Sequence, residues 1–107
     1  MTLAFTPGSR VAQIYGTVEA TEQYYCNFGV NPAAVPLLKG GALQFVGSDQ
    51  EGEIRVLELP DHPFFVGTLF VPQIRSQAGH PHPLVTAFLR AVVEKSRVSK
   101  MTALAAQ

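Results

Sequence analysis

Cysteine is nearly absent from this chain, with one in 107 residues. That excludes an intramolecular disulfide and a metal site built from several thiolates. It suits a reducing compartment, so a cytoplasmic location is expected. An excess of charge is lacking too, because eight Lys and Arg balance eight Asp and Glu. No basic field points to nucleic acid and no acidic field to a cationic partner. No apolar run approaches the ~18 residues of a membrane-spanning helix. The N-terminus has no basic stretch followed by a long apolar core. Neither nucleic acid nor a membrane is therefore expected as a partner. Repeats and low-complexity tracts are missing. Gly40-Gly41 closes a helix and precedes a strand, the reverse of a phosphate-loop order, and no cofactor is expected.

What is present is enough for one small domain. The apolar fraction is 47%, and a compact chain of this size buries roughly two thirds of its unfolded surface. Residues 10–15 (RVAQIY) follow the turn signal Pro7-Gly8 and read as a short strand. Residues 22–30 alternate, with Tyr24, Cys26, Phe28 and Val30 on one face, and read as a strand with one buried side. Asn31-Pro32 opens a helix ended by Gly40-Gly41, and Pro36 within it makes it short or distorted. Residues 43–47 and 53–59 flank Asp49-Gln50-Glu51-Gly52 and read as a hairpin. After the turn Pro60-Asp61-His62-Pro63 comes residues 64–71, apolar nearly throughout. Such a strand is normally covered on both faces and belongs in the middle of a layered structure. Pro83 starts a helix with Leu84, Phe88, Ala91 and Val92 on one stripe and Lys95 and Arg97 near its C-terminus. Residues 1–95 thus form the domain, and residues 96–107 read as a flexible, frayed tail. The order fits an α+β unit alone, or the second half of a larger α/β layer structure.

Single residues offer little chemistry. Cys26 reads as a small apolar residue on the inner face of a strand rather than a nucleophile. His62, His80 and His82 each adjoin Pro and read as turn and cap residues, and no metal site is expected of them. Gln73 and Arg75 read as solvated loop residues, and Glu22 alone is uninformative.

Two separated stretches are more specific. His62-Pro63-Phe64-Phe65-Val66-Gly67-Thr68-Leu69-Phe70-Val71-Pro72-Gln73 precedes a short loop, a His-Pro pair and a final helix. Upstream, residues 22–31 read EQYYCNFGVN. Both resemble the class I glutamine amidotransferase (glutaminase) domain of CTP synthase, whose motifs are of the types HPxFVGxQFHPE and ERHRHRYEVN. The similarity runs from about Pro7 to Val93. It is nearest to the free-standing proteins related to the C-terminal region of CTP synthase. The resemblance implies an α/β fold, the second half of a flavodoxin-like amidotransferase domain. Residue 1 falls near the midpoint of such a domain. The first half, with its oxyanion loop and Gly-x-Cys-x-Gly nucleophile elbow, has no counterpart in the sequence.

The resemblance also implies where the chemistry would lie and what has replaced it. Val71 stands at the catalytic His, Gln73 at the catalytic Glu, and Asn27 at the glutamine-binding Arg. Amide hydrolysis by this class needs a thiolate, a base that takes its proton, and a carboxylate that orients the base. Val71 accepts no proton, and loss of the base alone removes roughly 10⁴–10⁶ in analogous triads. The expectation is a catalytically inactive, glutaminase-like binding or structural domain with no catalytic residues of its own. Tyr25, Asn27 and Gln73 would line a remnant pocket for a small-molecule ligand. The alternative is one part of a split enzyme, completed in trans by an N-terminal half. Either reading leaves an apolar surface open, so self-association or pairing with the missing half-domain is expected.

Overall fold

The computed structural model describes residues 1–23 and 28–105. Five strands form one sheet in the order β2-β1-β3-β4-β5, and every pairing is antiparallel. The strands are β1 (Thr2–Phe5), β2 (Glu19–Thr21), β3 (Gln44–Ser48), β4 (Ile54–Glu58) and β5 (Val66–Thr68). Helices α1 (Arg10–Tyr15) and α3 (Pro83–Ala105) pack against each other, and α2 (Val35–Leu38) lies in the β2–β3 connection. The core is Leu3 and Phe5 of β1, Val11 and Ala12 of α1, Val46, Val56, Phe70 and Leu84. The fold is thus mixed α and β, a curled antiparallel sheet with a C-terminal helix.

β1 arises from plain alternation: Leu3 and Phe5 are buried while Ala4 is exposed. The hairpin read at residues 43–59 forms as expected, as β3 and β4. Its turn is set by Asp49, whose Oδ1 accepts the N–H groups of Glu51 (2.9 Å) and Glu53 (3.0 Å).

Residues 10–15 are a helix and not the strand that their composition suggested. Val11, Ile14 and Tyr15 recur at i, i+3 and i+4, which puts them on one helical face. Ser9 caps the start by accepting the N–H of Ala12, and Gly16 closes the end at φ 73°, a left-handed conformation that glycine adopts without strain. The free N–H groups of Arg10 and Val11 donate to the Glu58 carboxylate on β4, each at 3.2 Å. A six-residue helix cannot persist alone, so these tertiary acceptors decide against the strand. Ser9→Ala should lower stability by about 1 kcal/mol in a denaturant titration.

Three further expectations are corrected. Of the strand read at residues 22–30, positions 24–27 lie outside the described residues, and β2 ends at Thr21. Phe28 is 78% exposed and so is not on an inner face. The apolar run at residues 64–71 yields only a three-residue strand, β5, which lies at the edge of the sheet that the described residues form. Pro72 starts a 3-10 turn, Pro72–Arg75, that diverts the chain from the sheet. Finally, α3 runs from Pro83 to Ala105, so Lys95 and Arg97 are mid-helix and not near its C-terminus. Among the described residues no helix is long and apolar enough to cross a membrane.

Candidate functional site

Val71 and Gln73, which the motif resemblance sets at the catalytic His and Glu, lie at the exit after β5. Val71 adopts an extended conformation (φ −114°, ψ 91°) and leads into the 3-10 turn. Its N–H donates to the Gln23 carbonyl at 3.4 Å. Val71 is half-buried and Gln73 is exposed. Gln73 borders a cavity of about 270 Å³ whose other walls include Phe64, Val66, Thr68, Leu84 and Phe88. The cavity is apolar apart from Gln73 and Thr68. Tyr25, Asn27 and Cys26 lie outside the described residues, so Gln73 is the one pocket residue that can be placed.

Behind this exit lies a polar cluster that single-residue reading did not assemble. Glu22 follows β2 and its side chain is fully buried. Its Oε1 accepts Arg75 Nε at 2.8 Å, and its Oε2 accepts Arg75 Nη2 at 3.1 Å. The Tyr15 hydroxyl from α1 and His82 Nε2 from the start of α3 also donate to Oε2. His82 is equally buried. Its Nδ1 accepts the Leu84 N–H at 3.0 Å, and its carbonyl accepts the Thr86 N–H at 3.1 Å, so it caps α3. With Nδ1 an acceptor, the ring proton sits on Nε2, facing Glu22. His62 likewise holds a turn, its Nδ1 accepting the Phe64 N–H at 3.1 Å. Both therefore serve the turn and cap roles read for them.

The electrostatics follow from this geometry. Burial alone pushes the Glu22 carboxyl up, but hydrogen bonds from Arg75, Tyr15 and His82 outweigh it and hold the group below its ordinary 4.5. Burial first, and then the Glu22 carboxylate, pushes the Tyr15 phenol well above its usual range, so it stays a donor. The cluster ties α1, the end of β2, the 3-10 turn and α3 into one unit. The Glu22 and His82 side chains are fully buried within it, while Arg75 reaches the surface with 43% of its side chain exposed. A sealed Glu–His pair of this kind cannot take a proton from an incoming nucleophile. Among the described residues no group of three or more His, Cys, Asp or Glu is placed to hold a metal ion.

Glu22, Arg75 and His82 were each visible as single polar residues. What was missing was their convergence, since 53 and 60 residues separate Glu22 from its two partners.

No protein-family model matches the chain. The CTP synthase of Azospirillum brasilense is 39% identical over 92 residues, which cover 86% of this chain and 17% of that protein. That of Cereibacter sphaeroides (strain ATCC 17029 / ATH 2.4.9) is 40% identical over 98 residues, covering 91% and 18%. The chain is related to CTP synthase. A solved structure of Trypanosoma brucei CTPS, its glutaminase domain with bound acivicin, shares the fold with a TM-score of 0.78. It is 22% identical, and the match covers 87% of this chain and 38% of that one. The CTP synthase-related chain thus carries part of a glutaminase-domain fold, as the two motifs implied. It spans less than a fifth of the length of the curated relatives just named.

Proposed function

We propose that this chain is a glutaminase-like module of CTP synthase type that does not hydrolyse glutamine and acts as a binding or structural domain. The observation that carries the reading is the exit from β5. By the motif resemblance Val71 and Gln73 stand there in place of the base and the orienting carboxylate, and neither side chain can do that work. The buried Glu22–His82 pair offers no substitute, because His82 caps α3 and Glu22 is held by Arg75 and Tyr15. A remnant pocket at Tyr25, Asn27 and Gln73 would then recognise a small molecule through neutral hydrogen bonds. The test is release of glutamate and ammonia from glutamine by the purified chain. The expected result is a rate equal to the protein-free blank. Release that a thiol-alkylating reagent abolishes would overturn the reading.

A second reading has support of its own. Phe88, Leu89, Val92 and Val93 of α3 are all at least 49% exposed, an apolar patch of the kind that marks a contact surface. An enzyme part completed by another polypeptide would bury it. Glutaminase activity that appears only when a second polypeptide is added would favour this reading over the first.

A further inference from the structure

The side chain of His82 is 0% exposed within this chain, as is that of Glu22 against which it rests. Further chain laid over the outside would leave the groups around the ring as they are. Four elements supply them. Glu22 comes from the end of β2 and Tyr15 from α1. Arg75 comes from the 3-10 turn, with its Nη2 3.1 Å from His82 Nε2, and Ser76 just after it accepts the His82 N–H at 3.0 Å. The fourth side is α3 itself, where the Leu84 N–H donates to Nδ1 at 3.0 Å.

These surroundings suit a neutral ring. Both ring nitrogens are committed, Nε2–H to Glu22 and Nδ1 to the Leu84 N–H. A second proton has only Nδ1 to occupy, and there it would point at the Leu84 N–H, donor against donor. The charges oppose it as well. Glu22 attracts a cation, but its one negative charge is already matched by Arg75. His82 also lies at the N-terminal, positive end of the 23-residue α3, whose first turn carries no acidic residue. A protonated ring would be a second buried cation beside one carboxylate, and it would have lost its role as a cap.

Opening resolves this conflict. Once the start of α3 moves away, the imidazole reaches water, where such a group takes its proton at about pH 6.5. Glu22 is not stranded, because it keeps Arg75 and Tyr15. The β3–β4 ladder and the Asp49–Arg55 ion pair do not involve His82. Leu84 leaves the core in this step, so the open form is scarce at neutral pH.

We propose that His82 is an acid-sensitive latch: uptake of one proton by its ring frees the start of α3 from α1 and the 3-10 turn while the sheet stays folded. The open form holds one proton more than the closed form. The opening equilibrium therefore rises as pH falls, about tenfold for each unit below about pH 6.5.

Residue-resolved hydrogen exchange on the full chain, between about pH 7.5 and pH 5, tests this after correction for the intrinsic pH dependence of amide exchange. The Leu84 and Thr86 amides should lose protection about tenfold per unit below about pH 6.5. The Asp49 and Leu69 amides, which donate to Glu53 and Arg55, should hold theirs. His82→Asn supplies an oxygen favoured at a helix start and gains no proton in this range. It should fold and show no such step. His62 and His80 keep their rings in that variant, so a step due to either would persist. The folded Glu22 carboxyl titrates below 4.5, outside the range. A flat profile for Leu84 and Thr86, a step that survives in His82→Asn, or sheet amides that lose protection together with α3 would each overturn the proposal. Should His82→Asn fail to fold, an NMR titration of the wild-type imidazole decides. A ring and a Leu84 amide that respond together would uphold the latch, and a ring that gains its proton with Leu84 still protected would overturn it. Glutamine hydrolysis has no bearing on these readouts, so the latch and the proposed loss of catalysis stand or fall separately.

Discussion

Replacing Glu22 with alanine is expected to lower the free energy of unfolding by about 3–5 kcal/mol. Few substitutions in this chain should cost more. The carboxylate is the common acceptor for Arg75, Tyr15 and His82. Removing it leaves a buried imidazole N–H and a phenol with only each other, 3.3 Å apart, in place of a shared charged acceptor, and each under-satisfied buried group costs about 1–3 kcal/mol. The Arg75 side chain is 43% exposed and can turn to water, which softens its share. A denaturant titration measures the loss, and a shift under 1 kcal/mol would show that the cluster adds little.

The same residue sets a pH dependence with a definite sign. Its folded carboxyl lies below the ordinary 4.5. Stability from Glu22 is therefore present above pH 4.5 and is lost as pH falls through the lower, folded value. Glu22→Gln should flatten that part of the acid limb, an outcome that unfolding curves at several pH values below 4.5 would reveal.

The second large effect is expected at Arg55. Its side chain is 4% exposed and forms an ion pair with Asp49, 9% exposed, at 3.0 Å. It also donates to the carbonyls of Phe28 (2.8 Å) and Leu69 (3.4 Å). One guanidinium thus joins the hairpin turn, the approach to Val30 and the exit from β5. Arg55→Met keeps the length of the stem but leaves the Asp49 carboxylate facing it without a counter-charge. A loss of about 3 kcal/mol is expected. Adding Asp49→Asn should recover part of it, because the amide oxygen can still accept the Glu51 and Glu53 N–H groups. Asp49 is pushed up by burial but held below its ordinary 3.8 by Arg55 and by those N–H groups. Arg55→Met should therefore raise the pKa of Asp49, as an NMR titration of its carboxyl would show.

Where the sequence spoke clearly, the determinants were local. Asp49 and the glycine that follows it define a hairpin within a few residues, and Pro83 marks a helix start by its missing N–H. The family motif was legible for the same reason, as a run of residues in fixed order. Where reading failed, the deciding partner was remote. Residues 10–15 are a helix partly because Glu58 accepts their free N–H groups, and nothing near Arg10 announces that. The apolar run after Pro63 suggested a central strand, yet apolarity reports burial and not pairing. Phe70 turns into the core while Phe65 stays 42% exposed. The site was half legible. Val71 and Gln73 stood in the motif, whereas the cluster that closes the space behind them exists only once β2, the 3-10 turn and α3 have met.

The bond from Glu58 to the start of α1 has a consequence for the order of folding. The carboxylate lies 47 and 48 residues from the amides it accepts. A segment as short as α1 fixes several dihedrals for each hydrogen bond it gains, so it does not nucleate by itself. Its acceptor is delivered only after β3 and β4 have zipped around their local turn. Helix α1 is then a late product of the sheet and not a seed for it. The barrier to folding should depend on the hairpin, while changes at Ser9 and Arg10 should act mainly on the rate of unfolding.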